Sequence, residues 1–115
     1  VKLIWTEITP WYGGAPKSGG AAASFAVDQN YPNPFNPVTS IRFAVPERSH
    51  VRLVVTDALG REVATLVDGN VVMGRHTVEF DGTRLSSGTY IATISMMGIE
   101  SSVTYRKTIK MALQK

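Results

Sequence analysis

The sequence predicts an all-β protein, and more narrowly an immunoglobulin-like antiparallel β-sandwich of about seven strands. Three observations lead to this fold class. Apolar and polar residues alternate with a period of two in several short segments, which is typical of half-buried strands. Turn-forming residues separate these segments. Apolar residues nowhere recur at helical spacing over several turns, although closure of the strands into a barrel remains open as an alternative.

The alternation also predicts which side of each strand faces the core. The predicted strands cover residues 39–45, 51–57, 62–66, 75–80, 90–96 and 103–113. The residues expected on the inner faces are Ile41, Phe43, Val45, Val51, Leu53, Val55, His76, Val78, Phe80, Tyr90, Ala92, Ile94, Met96, Val103, Tyr105, Ile109, Met111 and Leu113. Lys107 falls on the same side of the last strand and does not fit the pattern.

The connections carry recognisable turn chemistry. Residues 57–60 place Asp57 where a type I turn begins and Gly60 at the left-handed position that follows. We therefore predict a hairpin with a bulge at this point. Residues 68–70 and 97–98 are predicted as further turns, and residues 85–88 as a loop.

Composition places the chain among ordinary globular proteins and limits its chemistry. It has 115 residues, of which 43% are hydrophobic and 18% charged, so one core can form without disulfide support. The sequence contains no cysteine, which excludes disulfides and thiolate metal sites. No apolar run is long enough to cross a bilayer, and residues 1–24 do not look like a signal peptide.

The formal net charge of +3 comes from the end of the chain. Arg106, Lys107, Lys110 and Lys115 lie there with no acidic residue among them. A basic segment can bind phosphates, but basic and aromatic residues are not interleaved on one face, so we predict no nucleic-acid partner. The charges are typical of an edge strand that lysines protect from pairing with other chains.

The chain divides into three parts. Residues 25–115 carry the strand pattern and are predicted to form the domain. Residues 13–24 are rich in Gly, Ser and Ala and have the composition of a flexible linker. Residues 1–12 are interpreted as the tail of an upstream domain or as an accessory strand, and the pairing of residues 2–8 with the sandwich stays open.

The sequence carries no constellation of catalytic residues, and we predict a protein without enzymatic activity or cofactor. His50 falls in a polar segment expected at the surface, and His76 falls on an apolar strand face, where a hydrogen-bonded structural histidine is expected. Trp5, Trp11 and Tyr12 support a different function. They could stack on sugars, which would make the chain an accessory module that binds carbohydrate or spaces a secreted enzyme.

A proline-rich segment precedes the first long strand. This proline segment consists of Asn30, Tyr31, Pro32, Asn33, Pro34, Phe35, Asn36 and Pro37. Each proline fixes its own φ angle and biases the preceding residue toward β or polyproline conformations. We therefore expect a stiff extended ribbon that pins the first strand through two aromatic anchors, Tyr31 and Phe35.

Four motifs in order resemble the type A C-terminal sorting domains of the type IX secretion system of Bacteroidetes. The first is the proline segment with residues 39–43, and the last is the basic and apolar run 107–115. Between them stand the motif with Asp57 and Gly60 and the motif with Gly88 and Tyr90. The strand pattern is also similar to the immunoglobulin-like domain of flagellar hook-capping proteins, which would imply a role in assembly.

The resemblance to sorting domains implies a secretion signal rather than a catalyst. Such a domain guides an upstream cargo from the periplasm across the outer membrane, through the type IX translocon. A sortase-like peptidase then removes the domain and attaches the cargo to the cell surface. The residues expected to face the translocon are Lys107, Ile109, Lys110, Met111, Leu113 and Lys115. The alternative is that these residues only close the sandwich.

Overall fold

The computed structural model describes residues 2–4 and 24–115. Eight strands occur in this part of the chain: β1 Lys2–Ile4, β2 Ala26–Val27, β3 Val38–Val45, β4 Ser49–Asp57, β5 Glu62–Val71, β6 Gly74–Asp81, β7 Gly88–Gly98 and β8 Thr104–Leu113. None of the described residues belongs to a helix, so none forms a helix able to span a membrane.

The strands form two four-stranded sheets. The first sheet has the order β1-β6-β3-β2 and the second the order β5-β4-β7-β8. Every pair of neighbouring strands is antiparallel. The predicted all-β sandwich is thus confirmed. The backbone of the short β1 lies beside β6, with Leu3 opposite Val78, whereas the division at residues 12 and 24 stays a prediction.

The core lies between the two sheets and contains most of the residues that the alternation selects, together with Leu66, Val67 and Val71 on β5, which it did not select. On β6 and β7, the predicted inner residues are all at least nine-tenths buried. The same holds for the predicted inner residues of β3 and β4. The last strand differs at its beginning: Val103 is 54% exposed, because β8 starts only at Thr104. Tyr105 is half-buried and packs at the margin of the core.

The predicted hairpin with a bulge is confirmed at residues 57–60. The N–H of Gly60 donates to the carbonyl of Asp57 over 3.0 Å, and the N–H of Asp57 donates to the carbonyl of Arg61 over 2.9 Å. Gly60 has a φ angle of 85°, in the left-handed region that glycine adopts at little cost. The register between β4 and β5 shifts beside this turn, between Val55 and Thr56.

Two other predicted turns are wrong. Residues 68–70 belong to β5 and residues 97–98 belong to β7. The reason is the long central strand β4, which begins at Ser49 and has Val71 and Gly98 as its partners on either side. Pairing with β4 keeps both segments extended, against the turn preference of their glycines and asparagine.

Candidate functional site

The last strand, β8, forms one edge of the second sheet. It pairs only with β7 among the named strands, from Thr104 opposite Met97 to Leu113 opposite Gly88. An edge strand presents every second N–H and C=O group away from its neighbour. The contacts of these outward groups therefore determine what β8 can bind.

The structure separates the predicted translocon-facing residues into two groups. Ile109, Met111 and Leu113 are at most 6% exposed and belong to the core between the sheets. Lys107, Lys110 and Lys115 are exposed, although the Nζ of Lys115 donates a hydrogen bond to the carbonyl of Thr83 over 2.6 Å. Of the predicted residues, only the lysines can thus meet a partner through their side chains while the domain stays folded.

The proline segment covers the outward edge of β8 near its end. The N–H of Ala112 donates to Oδ1 of Asn33 over 3.0 Å, and its carbonyl accepts from the N–H of Phe35 over 2.8 Å. The carbonyl of Phe35 accepts from the N–H of Gln114 over 2.9 Å. Just before the segment, Nε2 of Gln29 donates to the carbonyl of Lys110 over 2.8 Å. These bonds satisfy both outward groups of Ala112, the N–H of Gln114 and the carbonyl of Lys110.

The first half of β8 has no such cover among the described residues. The bonds at Lys110, Ala112 and Gln114 show that the even-numbered residues direct their backbone groups outward. No residue in the described part of the chain donates to or accepts from the outward N–H and C=O of Arg106 and Thr108. This segment is an open strand edge next to the exposed lysine at 107.

The proline segment is bent rather than extended, so the predicted ribbon is wrong. Bends occur at residues 32–34 and 36–37. The buried side chain of Asn30 donates to Thr39 Oγ1 over 3.0 Å and to the Pro32 carbonyl over 3.2 Å. The hydroxyl of Thr39 donates to the same carbonyl over 2.8 Å. These hydrogen bonds hold the bent segment against β3.

Phe35 anchors the proline segment, whereas Tyr31 does not. Phe35 is 1% exposed, and its ring centroid lies 5.8 Å from that of Phe80. Tyr31 is 77% exposed, so the expectation of two aromatic anchors is wrong for this residue. Its contribution comes through the backbone, which forms two hydrogen bonds of 3.0 Å with Ser40. Such a backbone bridge places no demand on the side chain.

Asp57 organises the hairpin between β4 and β5. Its Oδ1 accepts from the N–H groups of Leu59 and Arg61, each over 2.9 Å. Its Oδ2 accepts from Nε of Arg61 over 2.9 Å. The hydrogen bond from the Arg61 N–H, with smaller help from Leu59 and from the guanidinium, lowers the pKa of this carboxyl. The second motif is thus a self-contained turn at the surface.

The motif with Gly88 and Tyr90 lies where β7 meets the end of β8. Gly88 stands opposite Leu113, and Tyr90 stands opposite Met111. Tyr90 is 6% exposed, and its hydroxyl donates to the carbonyl of Ser86 over 2.7 Å. The ring thus packs in the core while its hydroxyl fixes the preceding loop, an arrangement common in β-sandwiches. The first, third and fourth motifs therefore meet around the end of β8.

The histidines occupy the environments that the sequence predicts, with one difference. His76 is 2% exposed, and its Nε2 lies 2.7 Å from the carbonyl of Val72. His50 is exposed but belongs to β4 rather than to a turn, and its Nε2 lies 3.7 Å from Oδ1 of Asp68. No cluster of three potential metal ligands occurs within residues 2–4 and 24–115. Trp5, Trp11 and Tyr12 lie outside the described residues.

Sequence reasoning missed Gln29 and the contact with β8 that Asn33, a residue of the recognised motif, makes. Gln29 precedes the recognised motif, and the amide of Asn33 reaches a backbone group 79 residues away. The sequence signal that could have pointed to such a contact was the pair of asparagines before prolines, Asn33 and Asn36. A short amide side chain often forms hydrogen bonds with backbone groups. The partner strand could not be inferred from that signal.

A comparison with known protein families identifies the family to which the chain belongs. The model of the family described as "Secretion system C-terminal sorting domain" matches residues 29–111. The chain belongs to this family. No curated protein and no solved structure is significantly similar to the sorting domain.

Membership of this family gives the role of the domain. It is the sorting signal of the type IX secretion system, and a sorting signal of this kind is not catalytic. Such a domain acts on an upstream cargo to which it is joined and interacts with the type IX machinery. The protein that carries it is secreted or displayed at the cell surface.

Proposed function

We propose that the outer-membrane translocon recognises the folded sorting domain through the open edge of β8 and the exposed lysines beside it. The cargo is then carried from the periplasm across the outer membrane, and a sortase-like peptidase removes the domain. Lys107, Lys110 and Lys115 supply the charged part of the signal. Ile109, Met111 and Leu113 contribute indirectly, because they hold β8 against the core.

The observation that carries this proposal is the difference between the two halves of the β8 edge. The end of the strand already has hydrogen-bond partners in Asn33 and Phe35, whereas Arg106 and Thr108 present outward groups that no described residue uses. An extended segment of a partner can add to such an edge through main-chain hydrogen bonds. The lysine charges at positions 107 and 110 then select an acidic partner surface.

The decisive experiment is a proline substitution that removes one outward N–H. The whole chain is fused to a periplasmic reporter in a host with a working type IX system, with Thr108→Pro as the test and Thr108→Ala as the matched control. Proline on an outward N–H spares the ladder with β7, whereas alanine keeps the N–H. We expect the reporter to stay in the periplasm with Thr108→Pro and to be secreted normally with Thr108→Ala.

This test has to distinguish a loss of recognition from a loss of folding. The melting temperature of each purified variant is measured, and the comparison uses variants that remain folded. Secretion of folded Thr108→Pro at the control level would contradict recognition through the strand edge. Lys107→Gln combined with Lys110→Gln tests the charged part, and Arg84→Gln, in the loop after β6, is the control that removes a positive charge elsewhere. Normal secretion of the double variant would contradict the lysine assignment.

Residues 13–24 are proposed as the region that the peptidase cleaves. Residues 13–23 lie outside the described part, and the argument is their small-residue composition, which suits an exposed protease site. The test is the N-terminal sequence of the domain released during secretion. We expect it to begin within residues 14–25. A released fragment that begins inside the proline segment would overturn this assignment.

A further inference from the structure

Two arginines face each other across the outer surface of the second sheet. In the registers of β4, β7 and β8, Arg52 stands opposite Ser95, and Ser95 stands opposite Arg106. The three residues thus form one row perpendicular to the strands. Neighbouring strands are about 4.8 Å apart, so the two arginine backbones are separated by roughly 10 Å with a serine between them. Both side chains can reach one ligand in the space above the serine.

A groove of about 300 Å³ lies along one side of this row. Its lining consists of Arg52, Val54, Thr56, Thr93, Ser95 and Arg106. The lining contains no carboxylate. The hydroxyl of Thr56 donates to the carbonyl of Ile91 over 3.4 Å, which leaves Thr93 and Ser95 as the hydroxyl donors of the floor.

The groove combines donors and positive charge in the way that an oxyanion requires. Guanidinium groups bind phosphate oxygens in bidentate fashion, and such charge-assisted bonds are stronger than neutral ones. Val54 is only 9% exposed although it lies on the outer side of the sheet. Neighbouring side chains therefore cover the floor at Val54, whereas the hydroxyl donor Ser95 is exposed.

The carboxylate of Glu62 competes with an external anion for the positive charge of Arg52. Oε1 of Glu62 lies 3.8 Å from a terminal nitrogen of Arg52, and both side chains are 52% exposed. Ion pairs this exposed contribute little to stability, so a better anion can displace the glutamate. Arg106 has no ion pair with any residue of the described ranges. It is the arginine with the greater capacity to bind an external anion.

A second depression of about 380 Å³ adjoins the row on its other side. It shares Arg52, Ser95 and Arg106 with the groove and adds Met97, whose apolar side chain is 45% exposed. An apolar side chain beside an anion site suits a ligand with an organic group attached to the charged group. The site therefore fits an organic phosphate better than an isolated ion.

We propose that the groove between Arg52 and Arg106 binds the phosphate group of a phosphate ester, whose organic part lies against Met97. This site is distinct from the open edge of β8, because it uses the outer face of the sheet rather than the backbone groups of the last strand. The proposal stands whether or not the translocon recognises that edge. It assigns the domain a ligand as well as a protein partner.

The test is a titration of the full 115-residue chain, followed by amide chemical shifts at constant ionic strength. Three probes distinguish the source of the phosphate: inorganic phosphate, glucose 1-phosphate, and vesicles that contain phosphatidylglycerol. The variants Arg52→Gln and Arg106→Gln remove one guanidinium each. Arg84→Gln removes the same charge from a loop that does not line the groove, and Glu62→Gln removes the competing carboxylate.

We expect saturable shifts at Thr93, Ser95 and Arg106, with glucose 1-phosphate binding more tightly than inorganic phosphate. Each arginine variant at the groove is expected to weaken binding about tenfold. Glu62→Gln is expected to strengthen it about twofold, and Arg84→Gln to leave it unchanged. Saturable, Arg106-dependent binding of glucose 1-phosphate or of the vesicles supports the site, and the tighter of the two identifies the source. Tightest binding of inorganic phosphate would contradict the contact with the organic part. Shifts that do not saturate, or an equal loss with Arg84→Gln, would overturn the proposal.

Discussion

The N–H of Phe35 donates a 2.8 Å hydrogen bond to the carbonyl of Ala112, 77 residues later in the chain. This bond makes the proline segment a neighbour of β8, with Phe35 and Leu113 forming a parallel bridge. The first and the last motifs of the family are thus one structural unit. A substitution in the proline segment should therefore change the local stability of the end of β8.

Phe35→Ala is expected to destabilise the domain by about 3–5 kcal/mol. The ring is 1% exposed and packs against Phe80, so its loss leaves a cavity between the sheets. The matched control is Tyr31→Ala in the same segment, because Tyr31 is 77% exposed. Urea unfolding measures both free energies. A loss with Tyr31→Ala as large as that with Phe35→Ala would contradict the assignment of a single anchor.

Asn33→Ala is expected to loosen the end of β8 without unfolding the sandwich. The substitution removes the acceptor for the Ala112 N–H and should cost about 1 kcal/mol or less, since the bond is exposed. Amide hydrogen exchange is expected to become faster at Ala112 while that of Ala92 in the neighbouring strand stays unchanged. Asn36→Ala, at an exposed position in the same segment, serves as the control. Unchanged exchange at Ala112 would show that Asn33 does not hold the strand.

The sandwich could be predicted because its core strands obey a local rule. The buried residues Val78 and Phe80 on β6, and Ala92 and Ile94 on β7, follow a strict period of two. The strand ends could not be predicted in this way. Gly98 reads locally as a turn residue, but its position opposite Ser49 keeps it in the sheet. Tertiary pairing overrides local preference there.

The candidate site was predictable only in part for the same reason. Lys107 and Lys110 stand out in the sequence, and so does the proline segment. The backbone bonds of Phe35 to β8 are joined by side-chain bonds from Gln29 and Asn33, which connect residues 81 and 79 positions apart. Hydrogen bonds over such separations leave no period or turn signal in a single sequence. The arginine row likewise emerges only from the registers of three strands.

Gly82→Ala and Gly69→Ala are expected to change stability in opposite directions. A Cβ at Gly82 would lie 3.0 Å from Cδ2 of Leu113 and 3.4 Å from the Phe35 ring. Crowding of this kind costs about 1–3 kcal/mol. At Gly69, in β5, a Cβ meets nothing within 4 Å, and alanine should stabilise by about 0.5 kcal/mol through the unfolded chain.

Thermal unfolding of both alanine variants tests the packing around Gly82, where Phe35 of the first motif lies close to Leu113 of the last motif. A melting temperature below that of the parent chain is expected for Gly82→Ala, and one at or above it for Gly69→Ala. Additional opening of the β8 end should appear as faster exchange at Gln114, whose N–H bonds to Phe35. Equal melting temperatures for the two variants would argue against a close approach at Gly82.

Asp57 is expected to make the hairpin, and through it the domain, less stable in acid. Its pKa in the folded state is lowered chiefly by the hydrogen bond from the Arg61 N–H. A carboxyl with a lowered folded-state pKa contributes stability above its unfolded pKa, and this contribution disappears as pH falls through the folded value. Asp57→Asn should therefore melt lower than the parent chain near neutral pH, and the difference should shrink below pH about 4. Direct titration of the Asp57 carboxyl by NMR provides the check, since a midpoint at or above the ordinary aspartate value would remove the basis for this pH dependence.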